Sequence, residues 1–264
     1  MSPPAEVIRI GHLDTTPRQQ LQGMPPKRAS VIAQRIVREI REGKLRSGDP
    51  LPAEKDMLLT YGVGRNTLRE ALRVLELQGV IALRPGRGGG PVVAMPDSRH
   101  LASTLALLMQ FAQTPFRSVV ETRIYLEPLT AELCAARADD GLAAEVRDSV
   151  DRMGAGLADE EVFLFENQRF HDLIAQGGGN PVLAYLHNSL DWITDGSALG
   201  VHYPAKARKA VLDHHESICS AIEQHDPDRA RSAMRAHLED TLGYYDRNYS
   251  QVMDRALTWE MYGG

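Results

Sequence analysis

Between residues 29 and 93 the hydrophobic periodicity switches repeatedly, and that succession limits the fold more than any other feature of the chain. Val31, Ile32, Ile36, Val37 and Ile40 recur at three- and four-residue spacing, the mark of one helix face, until Gly43 ends the run. "LRSGDPLP" reads as a turn followed by a short extended piece, with Pro52 suited to the first turn of a helix over roughly 53–60. "YGVG" breaks the chain again. "GRNTLREALRVLE" (64–76) then opens a helix that runs to about Gln78 and stops at Gly79. "VIALRPGRGGGPVV" sets two β-branched pieces around a glycine-rich tip, which predicts a hairpin. Three helices followed by a hairpin is the order of a winged helix-turn-helix.

The third of these helices divides sharply on a helical wheel. With Arg65 at zero, Arg69, Arg73 and Asn66 fall at about 40°, 80° and 100°, while Val74, Ala71, Leu75, Leu68 and Leu72 cover about 180° to 340°. One face packs; the other presents three guanidinium groups and an amide. Arginine reads guanine edges and clamps phosphate, and asparagine can read adenine. A basic helix face on its own is usually just solvated. Here the helix is the last of three, follows a glycine turn and precedes a basic hairpin, and that setting points to DNA. "PGRGGG" lacks the GK[ST] of a phosphate-binding P-loop. At a hairpin tip its glycines allow backbone to approach a duplex, with Arg87 reaching phosphate or minor groove.

Charge follows the same division. Residues 27–95 hold 13 Lys+Arg against 7 Asp+Glu, whereas residues 96–264 hold 15 against 26. A basic module joined to an acidic one implies that only the first meets a polyanion. Residues 1–26 carry Pro and Gln without periodicity and read as a flexible tail. Beyond residue 98 no strand pattern appears. Helical periodicity recurs near 98–112, 115–138, 141–156, 159–176, 180–199, 204–224 and 227–257, separated by short breakers, so an antiparallel all-α bundle is expected over 96–264. Cys134 and Cys219 each sit inside a helical pattern, which argues against a disulfide framework and for a reducing, cytoplasmic setting. No apolar run reaches the roughly 20 residues of a membrane span, and no secretory signal is visible at the start.

The stretch "SGDPLPAEKDMLLTYGVGRNTLREALRVLELQGVIALRPGRGGGPVV" resembles the DNA-binding domain of GntR-type bacterial transcription factors. The family pattern is a "PG-x-x-LPSE" turn, a "V-S-R-x-x-x-REAL" recognition helix, then "L-x-x-x-G" and a glycine-rich wing. Ala53 departs from the usual Ser, Lys55 from a common Arg, and Gly64 from a Ser or Thr that often caps the helix or touches phosphate. The resemblance implies DNA contacts at Lys55, Arg65, Asn66, Arg69, Arg87 and Gly88. Arg73 is left as a phosphate contact or a solvated charge.

The helical half carries a second pattern. Asn167 and His171 lie four apart and share a helix face; His214 and His215 fall in "HHESICSAI", and His237 in "MRAHLEDTL". Three histidines on three helices beside core-type residues form a candidate metal site, the alternative being a metal-free polar pocket. Residues 100–250 are similar to the FCD ligand-binding domain of the FadR subfamily of GntR regulators, with its "D-x-x-x-H", "H-x-x-I-x-x-A-I" and "M-x-x-H-L" segments. That resemblance implies Asn167, His171, His215 and His237 as metal ligands, His215 being the one in register. Asn167 stands where the family more often has Asp, so retention is expected to be weaker, and three imidazoles suit Zn²⁺, or Ni²⁺, best. In "ETRIYLEPLTAELCAARA" the family's "R-x-x-LE" helix places Arg123 toward the cavity, gripping a carboxylate effector. A pair with Glu127 at i+4 is the alternative use of that arginine.

The expected protein is therefore no enzyme. It is a homodimeric transcriptional regulator, a repressor by family habit, that binds a short palindromic operator and answers to a small organic acid held with a divalent metal. A metal-dependent hydrolase using the His cluster and an effector-independent DNA-binding protein are the rivals.

Overall fold

The computed structural model describes residues 27–86, 89–194 and 200–259. The N-terminal tail, the wing-tip residues Arg87 and Gly88, and the end of the helix expected over 180–199 lie outside the described residues. The chain separates into two compact units, residues 1–100 and 101–264.

In the first unit, α1 (Arg28–Glu42), α2 (Glu54–Tyr61) and α3 (Arg65–Leu77) precede the strands β1 (Ile81–Arg84) and β2 (Gly90–Val93). Ile32, Ile36 and Ile40 of α1 meet Met57 of α2, Leu68, Leu72 and Leu75 of α3, and Ile81 and Val93 of the hairpin in one core. Burying these side chains, each contributing about 1.5–3 kcal/mol, fixes which side of α3 faces outward. β1 and β2 pair antiparallel with Ile81 opposite Val93 and Arg84 opposite Gly90. The extended piece at Pro50 adds a bridge to Val92, and Leu51 N–H donates to Pro91 O. Gly62 closes α2 with φ 61°, a left-handed conformation that costs glycine nothing. α3 starts at Gly64, which supplies no side-chain cap.

The second unit is helical: α4 (Ser98–Phe111, its first residues falling in unit one), α5 (Phe116–Arg137), α6 (Asp140–Ala155), α7 (Glu160–Gly177), α8 (Pro181–Thr194), α9 (Ala205–Glu223), α10 (Pro227–Asn248) and α11 (Ser250–Met253). Several of the breakers seen in the sequence supply caps. Asp139 accepts from Leu142 N–H, Asp159 from Glu161 N–H and Asp226 from Arg229 N–H, each satisfying an amide at a helix start. The core joins Ala131 and Cys134 of α5, Val146 and Val150 of α6, Phe170 and Ile174 of α7, Ile218 and Ile222 of α9, and Met234 and Leu238 of α10. Both cysteines are free and buried, and burial pushes their thiols up to about 12. Among the described residues no helix is long and apolar enough to cross a membrane.

The helix expected to continue to residue 257 breaks at Tyr249 (φ −139°, ψ 35°). The chain then turns so that Arg255 O accepts from Phe116 N–H and Leu257 N–H donates to Thr114 O. Those long-range bonds, with Met253 and Leu257 buried beside Phe116, outweigh the local helical preference.

Gly177 ends α7 against α5. A Cβ there would stand 2.6 Å from Cys134 Sγ and would also strike Leu142. Gly177→Ala is expected to cost about 1–3 kcal/mol by overpacking, read as a lower thermal midpoint; an unchanged midpoint would show that this contact relaxes freely.

Candidate DNA interface and candidate metal centre

The outward face of α3 is built by the burial of Leu68, Ala71, Leu72 and Leu75. Arg65, Asn66, Arg69 and Arg73 are exposed, as is Lys55 on α2. Arg69 Nε lies 3.1 Å from Glu54 Oε1, with side chains 69% and 37% exposed. An exposed pair of this kind is worth about 0–1 kcal/mol, little enough for Arg69 to exchange it for a base or a phosphate. Arg69 and Arg73 share a groove of 670 Å³ with Arg84 and the wing residues Gly89 to Pro91. The wing thus extends the basic face of α3. Arg87 and Gly88 are outside the described residues.

In the bundle, α7, α9 and α10 bring His171, His215 and His237 together. One ligand-capable nitrogen from each lies within 4.8 Å of the others, and all three residues are buried. His215 stacks on Phe170, ring centroids 3.9 Å apart and planes 12° from parallel, which sets its orientation. Both nitrogens of His215 and Nδ1 of His237 are buried without a hydrogen-bond partner. Buried polar atoms are ordinarily paired, so this is a donor set shaped for a cation; three imidazole nitrogens fit a divalent zinc or nickel ion. Burial, then the neighbouring imidazoles, pushes His215 and His237 well below the ordinary histidine value, keeping them neutral as ligands must be.

Stability depends on pH accordingly. Because the folded values lie below the unfolded value of about 6.5, the unfolded chain binds protons more readily as pH falls. Stability is full above about 6.5 and is lost below it, toward the folded values. The thermal midpoint of chelator-treated protein is therefore expected to drop between about pH 7 and pH 5.5; a flat profile would contradict the neutral, buried assignment.

Glu127 on α5 is the functional residue that sequence reasoning used only as a possible partner for Arg123. Its side chain is 1% exposed, and Oε2 lies 2.7 Å from His171 Nδ1. With a carboxylate beside one nitrogen, the other, Nε2, is left to face a metal. Burial would raise the Glu127 value, but the Arg123 guanidinium and then His171 and His187 hold it well below the usual carboxylate range. The signal available in the sequence was the "LE" of "YLEPL", which no helical spacing links to a histidine.

His187 on α8 was not singled out by its sequence, yet it is 1% exposed, with Nδ1 3.7 Å from Glu127 Oε1 and Nε2 3.8 Å from Asp172 Oδ1. Burial keeps its value low. Burial, then Asp191, raises Asp172 to about 6.

Arg123 is held by Glu127, donates from Nη1 to Thr194 Oγ1 at 2.9 Å and sits 3.6 Å from Asp191. The i+4 pair considered from the sequence is thus present. Arg123 also lines a cavity of 260 Å³ with Asn167, Gln168, Trp192 and Tyr245. Asn167 is half-buried and shares this cavity with Arg123, one turn before His171 on α7. His214 points elsewhere, to Asp240 Oδ2 at 2.9 Å.

The gntR family of bacterial regulatory proteins matches residues 28–89, and the FCD domain matches residues 118–240. HTH-type transcriptional repressor NanR of Cronobacter sakazakii is 26% identical over 223 residues, 80% of this chain and 83% of that protein. NanR of Klebsiella aerogenes is 25% identical over 225 residues, 81% of this chain and 83% of that protein. The solved Streptococcus agalactiae GntR, 24% identical, shares the fold with a TM-score of 0.66, over 82% of this chain and 99% of that one. A winged unit with an exposed arginine helix, followed by an all-helical unit with a buried histidine triad, places the chain among the DNA-binding transcriptional regulators of the GntR family that carry an FCD domain.

Proposed function

We propose that the chain is a cytoplasmic, homodimeric repressor whose hold on a palindromic operator is set by a small carboxylate metabolite bound with a divalent metal. Residues 27–95 make the DNA-binding domain and 96–264 the effector-binding and dimerisation domain. The observation that carries the reading is the set of buried imidazole nitrogens without partners, in a triad linked through Glu127 to Arg123, which lines a cavity with Asn167. Lys55, Arg65, Asn66 and Arg69, with Arg87 and Gly88 of the wing tip, contact the operator. His171, His215 and His237 hold the metal, zinc in preference to nickel, and the Asn167 amide oxygen completes the set.

When bound, the metal supplies positive charge and open positions for a carboxylate oxygen. Arg123 donates to the same carboxylate. To do so it gives up its bond to Thr194, the last residue of α8, and loosens its contact with Asp191 of the same helix. Ligand and α8 compete for one guanidinium, so the ligand favours whichever state of α8 does not need it. A shift of that kind, passed to the dimer, changes the relative orientation of the two recognition helices and with it the operator affinity.

The test is a thermal-shift screen of organic acids with and without chelator. At least one acid is expected to raise the midpoint of wild-type protein, Arg123→Ala to lose that rise, and chelator to lower the midpoint of wild type but not of His215→Ala. Equal responses of wild type and both variants would overturn the assignment.

A further inference from the structure

Among the described residues the buried imidazoles are His171, His187, His215 and His237. Three of them form the triad; His187, in the middle of α8, belongs to no part of it. Its side chain is 1% exposed, and neither ring nitrogen has a hydrogen-bond partner. A buried polar group in that condition is costly and ordinarily has a use.

The neighbours of the ring indicate the use. Nδ1 faces Glu127 Oε1 on α5 at 3.7 Å, and Nε2 faces Asp172 Oδ1 on α7 at 3.8 Å. Both separations are just beyond hydrogen-bond reach, so the ring is set between two acceptors and bonded to neither. Burial keeps the imidazole neutral, and a neutral imidazole has one N–H, so it can serve one carboxylate at a time. Asp172 has another donor: the Asn188 amide, in the orientation that satisfies both of its ends, donates to Oδ1 at 3.1 Å. Glu127 has no such spare. Its Oε1 is taken by Arg123 Nε, and its Oε2 lies 2.7 Å from His171 Nδ1. If Arg123 turns to a bound carboxylate, Oε1 is left bare in a dry interior, where a charged oxygen without a donor is costly. A carboxylate in that position reorients, and His171 loses the group that aims Nε2 at the metal. His187 stands where it can prevent this, on α8, the same helix whose Thr194 and Asp191 hold Arg123.

We propose that His187 is a positioning residue for the metal centre: when Arg123 leaves Glu127, the Nδ1–H of His187 takes its place on Oε1 and keeps Glu127 set against His171. The proposal rests on the reading of Arg123 as a ligand contact and of the triad as a metal site. α8 then exchanges one anchor for another, giving up Arg123 and gaining Glu127.

The experiment is a double-variant cycle on the full chain, with zinc affinity measured by competition with a chelating dye and thermal midpoints measured in chelator. Arg123→Ala stands in for an Arg123 withdrawn by ligand. His187→Leu removes the reserve donor, and His187→Asn, which branches at the same carbon, keeps a donor at the place of Nδ1. Helix content is matched by circular dichroism. Arg123→Ala and His187→Leu are each expected to bind zinc within about twofold of wild type, close to the additivity error of independent sites. Arg123→Ala/His187→Leu is expected to bind about 10- to 100-fold more weakly, the loss that follows when a metal-bound histidine is left unsupported. Arg123→Ala/His187→Asn is expected to regain most of that affinity. A double variant no weaker than the two single effects combined, or an Asn variant as weak as the Leu variant, overturns the proposal. If wild type binds no zinc, the metal reading fails and the chelator midpoints decide: a double variant that melts lower than the two single shifts predict, with Asn restoring the difference, supports the role of His187, and additive midpoints overturn it.

Discussion

Arg69→Ala is expected to weaken operator-specific binding by about 1–3 kcal/mol, roughly 5- to 150-fold, while binding to unrelated duplex changes far less. Arg69 stands on the exposed face of α3, opposite Leu68 and Leu72 in the core, and among the described residues its partner, Glu54, is held by an exposed ion pair. On the proposed reading truncation removes a recognition group, and since the side chain is exposed it opens no cavity, so the melting of the winged unit should barely move. Lys55→Ala should behave differently. Contacting phosphate, it would lower affinity for all sequences alike and reduce the salt slope by about one. Equilibrium binding to an operator selected from a random-sequence pool, at several salt concentrations, separates the two. Retention of full specificity by Arg69→Ala would remove it from the base-reading face.

Glu127→Gln is the second large effect. The substituted amide would keep the shape but lose the charge that sits 2.7 Å from His171 Nδ1 and pairs with Arg123. Loss of a carboxylate that orients a metal-bound histidine typically costs 10- to 100-fold in metal affinity, so a weakening of about that size is expected in competition with a chelating dye. The change also leaves the Arg123 charge with less compensation in a buried setting, which lowers stability by about 3–5 kcal/mol if Asp191 does not make up the loss. The affinity is accordingly measured well below the melting transition, with helix content unchanged. A purely structural Glu127 would lower the midpoint and leave metal affinity as it was.

Much of this was legible in the order of residues because local chemistry and tertiary packing agree. The α3 wheel separated Arg65, Asn66 and Arg69 from the leucines, and burial follows that separation. The short breakers between helical segments were visible, and Asp139, Asp159 and Asp226 within them cap the helices that follow. Helical spacing also carried the reading through Pro128, which sits inside α5 although it removes an amide there. What escaped was long-range. The break at Tyr249 depends on strand-like bonds to residues 114–116. His187 has no periodic neighbour to mark it, and only the approach of α8 to α5 and α7 puts it beside Glu127 and Asp172. Glu127 looked like a helix-surface partner for Arg123 because spacing shows i+4 neighbours, whereas its contact with His171 joins residues on different helices.

The most direct test of the metal-centred reading is elemental analysis of the purified full chain beside His215→Ala, each at matched helix content. One zinc or nickel ion per wild-type chain, with none retained by His215→Ala, is the expected result. Metal-free wild-type protein that gains no divalent ion when one is offered, or equal metal content in the two proteins, would contradict it.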